Sequence, residues 1–270
     1  MADSDSDSDS DSAARLRSLR REPPPFRRVR LISREQRSPR LLRVVLGGDS
    51  LEGFAIEAPA SSVRLLLPPA IGEPLVMPEW AGNQFELPDG RRAPIRTFTP
   101  RHHDPERHEL TLEIVLHASG AATDWAKSAA IGDEVAISGP GRSEPLDAEA
   151  RSFLLAGDES AIPAISQLLE TIDADRSVTV HVEVTDANAV VELPEHRGAS
   201  VDWHVLRSND EPGSAMSAAV EGMDDLPDAV WVAGEAAAVQ HLRRHLFDDR
   251  GLHRSAVTAR GYWKHGRSAS

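Results

Sequence analysis

The chain contains no cysteine. That excludes a disulfide scaffold, cysteine-ligated zinc or iron–sulfur centres, and a thiol nucleophile. Aromatic residues make up only 4% of the 270 residues, too few for platforms on which nucleic-acid bases stack. No stretch approaches the roughly 18 consecutive apolar residues of a membrane span. The start, MADSDSDSDSDS, has neither the basic nor the apolar region of a secretory signal. A soluble cytoplasmic protein without membrane insertion is the expectation. Lysine occurs only at Lys127 and Lys264, with arginine supplying the other positive charge. The net charge is −13, and −8 without the five aspartates of the first twelve residues. A body this acidic is a poor binder of phosphate backbones, so no nucleic-acid partner is expected.

What is present divides into a tail and two patterns. The Asp-Ser repeat and the arginines that follow it, residues 1–25, cannot bury apolar area and read as a disordered acidic tail. Residues 26–148 favour strands. Arg27–Ser33, Leu41–Leu46 and Val63–Leu67 are β-prone runs broken by Gly and Pro,. In His108–His117, Leu110, Leu112, Ile114 and Leu116 alternate with Thr111, Glu113, Val115 and His117. That period of two predicts a half-buried antiparallel strand. Glu134–Ser138 is a further strand, and the set predicts a small antiparallel barrel or sandwich. Residues 149–267 alternate. Ser152–Ala156, Val178–Val184, Val201–Leu206 and Ala229–Ala233 read as strands, with helices over Ala161–Ile172 and Ala236–Phe247. Strands alternating with helices predict a parallel sheet with helices on its faces.

Ligands of such a sheet bind beyond the carboxyl ends of its strands. Gly157-Asp158-Glu159-Ser160 and Ala233-Gly234-Glu235 fall there. Each turn leads into a helix whose free N–H groups suit a phosphate, or serves simply as turn and cap. The G-x-G-x-x-G fingerprint is missing. Gly157–Ala161 also fails the G-x-S-x-G pattern of a serine hydrolase. In Arg96-Thr97-Phe98-Thr99-Pro100-Arg101, guanidiniums and an aromatic face suit a flat ring with phosphates; an ordinary amphipathic strand is the alternative. His117-Ala118-Ser119-Gly120-Ala121-Ala122-Thr123-Asp124-Trp125 offers small residues before a helix, a pyrophosphate cradle or a plain cap over a packed tryptophan. His102-His103 face opposite ways in a strand, and His241 and His245 lack the glutamate of H-E-x-x-H, so no metal site is expected.

Together these segments, with Trp231–Glu235 and the closing Gly261-Tyr262-Trp263-Lys264-His265-Gly266, resemble the siderophore-interacting protein family over roughly residues 26–266. Arg96–Arg101 is similar to its R-x-[YF]-T-x-R flavin motif. Residues 117–126 are similar to H-G-x-G-P-A-S-x-W-A, with Ala118, Ala121 and Thr123 as departures. Leu155–Ala164 is similar to L-A-G-D-E-T-A-x-P-A, with Ser160 for Thr. The resemblance implies a ferredoxin-reductase-like architecture, with an N-terminal antiparallel β-barrel for FAD and a C-terminal α/β domain receiving NADPH or NADH. It implies that Arg96, Phe98, Thr99 and Arg101 hold the flavin and that His117, Ala118, Gly120, Ala121, Ala122, Thr123 and Trp125 hold its pyrophosphate. It places Gly157, Asp158, Glu159, Ser160, Ala233, Gly234 and Glu235 on the nicotinamide side. Arg142, Arg260 and Lys264 are candidates for an anionic ferric siderophore. The activity implied is reduction of Fe(III)-siderophore through FAD in iron uptake. The readings that remain beside it keep the fold with reduced ferredoxin as donor or another ferric chelate or free flavin as acceptor, or make the chain a non-catalytic siderophore- or flavin-binding protein.

Overall fold

The computed structural model describes residues 23–82, 84–141 and 146–266. The acidic repeat lies outside them. The strand-rich half contains β1 (Arg27–Ser38), β2 (Leu41–Gly47), β3 (Val63–Leu66), β4 (Glu79–Trp80), β5 (Phe85–Glu86), β6 (Ile95–Phe98), β7 (Pro100–Asp104), β8 (Glu109–Val115) and β9 (Glu134–Ser138), with helix α1 (Ala121–Ser128) before β9. The main sheet has the order β6-β3-β9-β1-β2-β8-β7, antiparallel at each ladder. Its two edge strands, β6 and β7, are separated in the chain by Thr99 alone. One residue cannot span seven strands laid flat, so the sheet must curl until its edges meet, which makes it a half-barrel. Thr99 is the corner of that closure and is buried.

Leu110, Leu112 and Ile114 fill the barrel with Leu31, Leu46, Leu65 and Ile137, and Trp125 of α1 closes its end. The alternation of β8 is as expected on this face. The other face is less exposed than a half-buried strand predicts. Val115 packs with Leu41 into the core of the second half, and Glu113 is buried against Arg43. The second domain covers that face.

The second half contains β10 (Ser152–Asp158), α2 (Ile162–Thr171), β11 (Ser177–Val184), β12 (Ala199–Val205), α3 (Ser214–Glu221), β13 (Ala229–Glu235), α4 (Ala236–Arg244) and β14 (Val257–Trp263). All five strands run parallel in the order β12-β11-β10-β13-β14. α2 covers one face through Ile162, Ile165, Leu168 and Leu169. α3 and α4 cover the other through Met216, Val220, Val239 and Leu242. The strand order reverses between β10 and β13, so the crevice beyond their carboxyl ends is the natural ligand position of this topology.

Candidate functional site

That crevice faces the barrel, and the singled-out segments meet along the seam. On β6, Arg96 and Phe98 are half-buried on the barrel side while Thr97 is exposed. Phe98, like Ala121 and Ala122, packs on the barrel core. Thr99 Oγ1 lies 3.4 Å from the Tyr262 hydroxyl of β14. The His117 ring stands 6.2 Å from that of Trp263. Trp263 Nε1 donates to Asp158 at 2.7 Å, and the His265 amide donates to Glu235 at 3.0 Å. Segments separated by up to 170 residues in the chain thus converge on one line.

Acceptors crowd the α/β side of the seam. Asp158 is buried and accepts from the Ser160 amide and hydroxyl, the Glu235 amide and Trp263. Burial pushes its carboxyl pKa up, and those hydrogen bonds pull against the rise. Glu159 binds Arg40 Nε through both oxygens, at 2.9 and 2.8 Å, and takes the Thr185 amide and hydroxyl on one of them. Glu183 accepts from the amides of Gly213, Ala215 and Met216. Glu235 caps α4 through the amides of Ala237 and Ala238.

These contacts correct one expectation. Of the N–H groups after Gly157 and Gly234, the Ser160 amide is taken by the side chain of Asp158 and the Ala237 and Ala238 amides by that of Glu235. The barrel's helix is different. α1 starts at Gly120 with no side-chain cap. Residues 118–120 are exposed, and a Cβ placed on Gly120 would meet nothing within 4 Å. Gly120 sits at φ 143°, a conformation that side chains other than glycine's strain to adopt. Thr123 turns inward and accepts the His117 amide at 3.1 Å.

The donor types suit a dinucleotide's pyrophosphate: amides of an uncapped helix start, small side chains, and the half-buried Arg96 guanidinium of β6,. Burial, with Arg92 nearby, lowers the Arg96 pKa from its ordinary value. That positive charge is held partly out of water, and an anion beside it relieves the cost. Trp125 is only 6% exposed, and its indole Nε1 is buried without a partner. An N–H so placed costs about 1–3 kcal/mol until something accepts it.

Arg101 lies elsewhere. It leaves β7 toward α2 and pairs with Glu170 through both terminal nitrogens, at 2.8 and 2.6 Å. Arg260 and Lys264 are exposed on and just beyond β14, and Arg142 is outside the described residues. His241 pairs with Glu221 and His245 with Asp249. Among the described residues no group of three or more His, Cys, Asp or Glu side chains is arranged to hold a metal. Sequence reasoning missed Arg40, Thr185, Glu183, Tyr262 and Trp263 as parts of this seam. Only the last two carried a signal, in the closing G-Y-W-K-H-G.

Comparison with known proteins follows the same division. Residues 30–144 match the model of the siderophore-interacting FAD-binding domain, and residues 150–266 that of the siderophore-interacting protein. The NADPH-dependent ferric-chelate reductase of Escherichia coli is 30% identical, over 88% of this chain and 92% of its own. The ferric vibriobactin reductase ViuB of Vibrio cholerae is 29% identical, over 86% of each. The crystal structure of a siderophore utilization protein from T. fusca superposes with a TM-score of 0.81 at 31% identity, covering 92% of this chain and 95% of that one. The fold is also that of a ferredoxin reductase of carbazole 1,9a-dioxygenase, at a TM-score of 0.67 and 13% identity, covering 90% and 70%. A ferredoxin-reductase-like chain that carries this flavin domain in its barrel and matches the family over both halves is an FAD-dependent oxidoreductase, and it belongs to the siderophore-interacting protein family.

Proposed function

We propose that the protein is a cytoplasmic ferric-siderophore reductase that takes electrons from NADPH or NADH and releases iron as Fe(II). The observation that carries this reading is the convergence of β6, the uncapped start of α1 and the end of β14 on one seam. Two relatives whose names describe ferric reductases support it.

On this reading Arg96 and the backbone from Ala118 to Thr123 bind the flavin's pyrophosphate. Phe98, Thr99 and Tyr262 flank its ring system, where the two domains touch. The turns Gly157–Ser160 and Ala233–Glu235 line the approach of the nicotinamide. Their carboxylates hold the loops in place through backbone amides. When bound there, FAD would supply the conversion of a two-electron hydride donor into single electrons. One reduced nucleotide therefore serves two ferric ions. Siderophore oxygens grip the hard Fe(III) and hold the softer Fe(II) less tightly, so reduction is release. Arg260 and Lys264 are exposed beside Tyr262 and offer positive charge to an anionic chelate in an otherwise acidic molecule.

The test is an anaerobic titration followed by flavin absorbance. NADPH and NADH are added in turn, then a ferric siderophore with an Fe(II) chelator as readout. Bleaching by a nucleotide and recovery with Fe(II) release supports the reading. A bound flavin that neither nucleotide bleaches moves the assignment to a ferredoxin-driven enzyme or a binding protein.

A further inference from the structure

The parallel sheet has two edges, and they differ. β14 lies at the domain seam. β12 is the edge on the far side. Sheet edges carry a row of unpaired N–H and C=O groups that invite another strand, and folded chains guard them with lysine, proline, a bulge or a covering segment. β12, Ala-Ser-Val-Asp-Trp-His-Val, has neither lysine nor proline. Its ladder with β11 runs without a bulge from Val178↔Ala199 to Val184↔Val205. Ser200 and Asp202 are exposed on one face, and Val201 and Val205 stand 38% and 48% exposed on the other. Trp203, between the two valines, is half-buried against the core under α2.

The ladder also fixes which backbone groups are free. The Val178 amide donates to Gly198 O at 2.9 Å, and the Leu206 amide to Val184 O at 2.8 Å. Alternate residues of a strand turn their N–H and C=O to the same side. The even-numbered residues therefore bond to β11, and Val201, Trp203 and Val205 direct their groups outward. A strand that meets its own copy antiparallel, across a two-fold axis, must set outward residues opposite outward residues. Charge then chooses the register. Centring the axis on Asp202 sets that carboxylate against its own copy, and centring it on His204 sets imidazole against imidazole. Centring it on Trp203 sets Val201 opposite the copy's Val205 and Asp202 opposite the copy's His204. That last pair falls at the positions without hydrogen bonds, where facing side chains are closest. Within one chain Asp202 reaches His181 Nδ1 only at 3.9 Å. His204 turns Nε2 to His181, so Nδ1 is the nitrogen left for a carboxylate from outside.

We propose that the protein is a two-fold dimer in which β12 pairs antiparallel with β12 of a second copy about Trp203, joining two five-stranded sheets into one of ten strands. The three outward pairs supply about six backbone hydrogen bonds. Val201, Trp203 and Val205 of both copies form one apolar strip on the α2 face, and an Asp202–His204 pair stands on either side of the axis on the other. The strand complements itself in hydrogen bonding, apolar pattern and charge, which selects a second copy over a foreign strand. The seam with the barrel lies across the sheet from this edge, so pairing leaves both seams open. The inference does not depend on the activity proposed above.

The test is sedimentation of the full chain over a concentration series, with a dimer dissociation constant expected at about 1–10 μM, as for a small interface. Val205→Lys places a charge in the apolar strip at a position that is exposed in the single chain, and is expected to raise that constant at least about tenfold. Its thermal midpoint at a dilution where the wild type is monomeric checks that it folds. The register is read by cross-linking, which the absence of cysteine makes unambiguous. Asp202→Cys and His204→Cys are made separately, then mixed under mild oxidation. The mixed pair keeps one Asp–His contact and brings the two thiols together, so the disulfide is expected to form faster in the mixture than in either variant alone. A chain that stays monomeric up to about 100 μM overturns the proposal. So does a dimer that Val205→Lys leaves intact, and so does cross-linking as fast in one variant alone as in the mixture.

Discussion

At the scale of single residues the seam is held by close approach. Gly157, next to last in β10, has no positive φ, so its backbone does not require glycine. Its surroundings do. A Cβ there would stand 2.4 Å from the Ala161 Cβ and 3.0 Å from Ala233 O. Neither neighbour is the free end of a flexible side chain, so the strand and the following turn would have to part. Gly157→Ala is expected to cost about 1–3 kcal/mol, as overpacking of a tight core does. The thermal midpoint should fall by several degrees. Gly120→Ala provides the contrast. Space is open there and only the positive φ resists, so its cost is expected at about 1–3 kcal/mol of local strain, with flavin affinity lost out of proportion. Calorimetric melts of both variants with and without FAD separate the cases. Gly157→Ala should lower both melts equally, and Gly120→Ala should reduce the shift that FAD produces.

Among elements, what was legible followed from local pattern. β8 and β9 show in the sequence because alternation or flanking Gly-Pro turns mark them, and α2 because its apolar residues recur at helical spacing. α3 was not legible. Ser-Ala-Met-Ser-Ala-Ala-Val-Glu has a weak apolar face, and its start lies after Gly213 with no local cap. The cap comes from Glu183, thirty residues upstream, which accepts three of its amides. No window along the chain contains both partners. The site was legible as motifs but not as chemistry for the same reason. Asp158 and Glu235 read as turn residues facing a ligand, whereas their oxygens are taken by backbone amides across strands. Glu183→Ala is accordingly expected to destabilise by about 1–3 kcal/mol, the cost of buried donors left without an acceptor. Hydrogen exchange should quicken first at residues 213–216.

Across β11 and β12, His181 Nδ1 and His204 Nε2 lie at hydrogen-bond distance, 3.1 Å apart. Burial and the neighbouring His204 hold the His181 pKa below its ordinary value, with Asp202 pulling the other way. The unfolded chain thus binds a proton near pH 6.5 that the folded chain refuses. Stability from His181 is full above the unfolded value and declines as pH falls from about 6.5 toward the folded one. Melts of wild type should drop over that window, and His181→Gln should flatten the drop. An unchanged slope would remove the pair from the account.

For the whole molecule the question is what fixes the two domains on one another, since the flavin reading requires their seam to keep its shape. Among the described residues two ion pairs cross it, and burial ranks them. Arg101–Glu170 has a carboxylate 46% exposed, so it is worth about 0–1 kcal/mol and fades with salt. Arg40–Glu159 has its carboxylate 9% exposed and its guanidinium 29%. Glu159 gave up most of its water to sit between the domains, and Arg40 of the β1–β2 turn is its counter-charge. Removing Arg40 leaves that charge with the amide and hydroxyl of Thr185 alone. Arg40→Met is expected to cost about 2–4 kcal/mol, toward the lower end for a broken buried pair because Thr185 remains. Adding Glu159→Gln should recover much of the loss, since a neutral amide needs no counter-ion. The double-mutant cycle in urea then gives a coupling well above that of Arg101–Glu170 measured the same way. Raising salt to about 1 M should shrink the second coupling and spare the first. If both couplings are small, the domains are held by the apolar contacts of Leu41 and Val115 with α2 and its sheet, and charge at the seam serves only to shape the crevice.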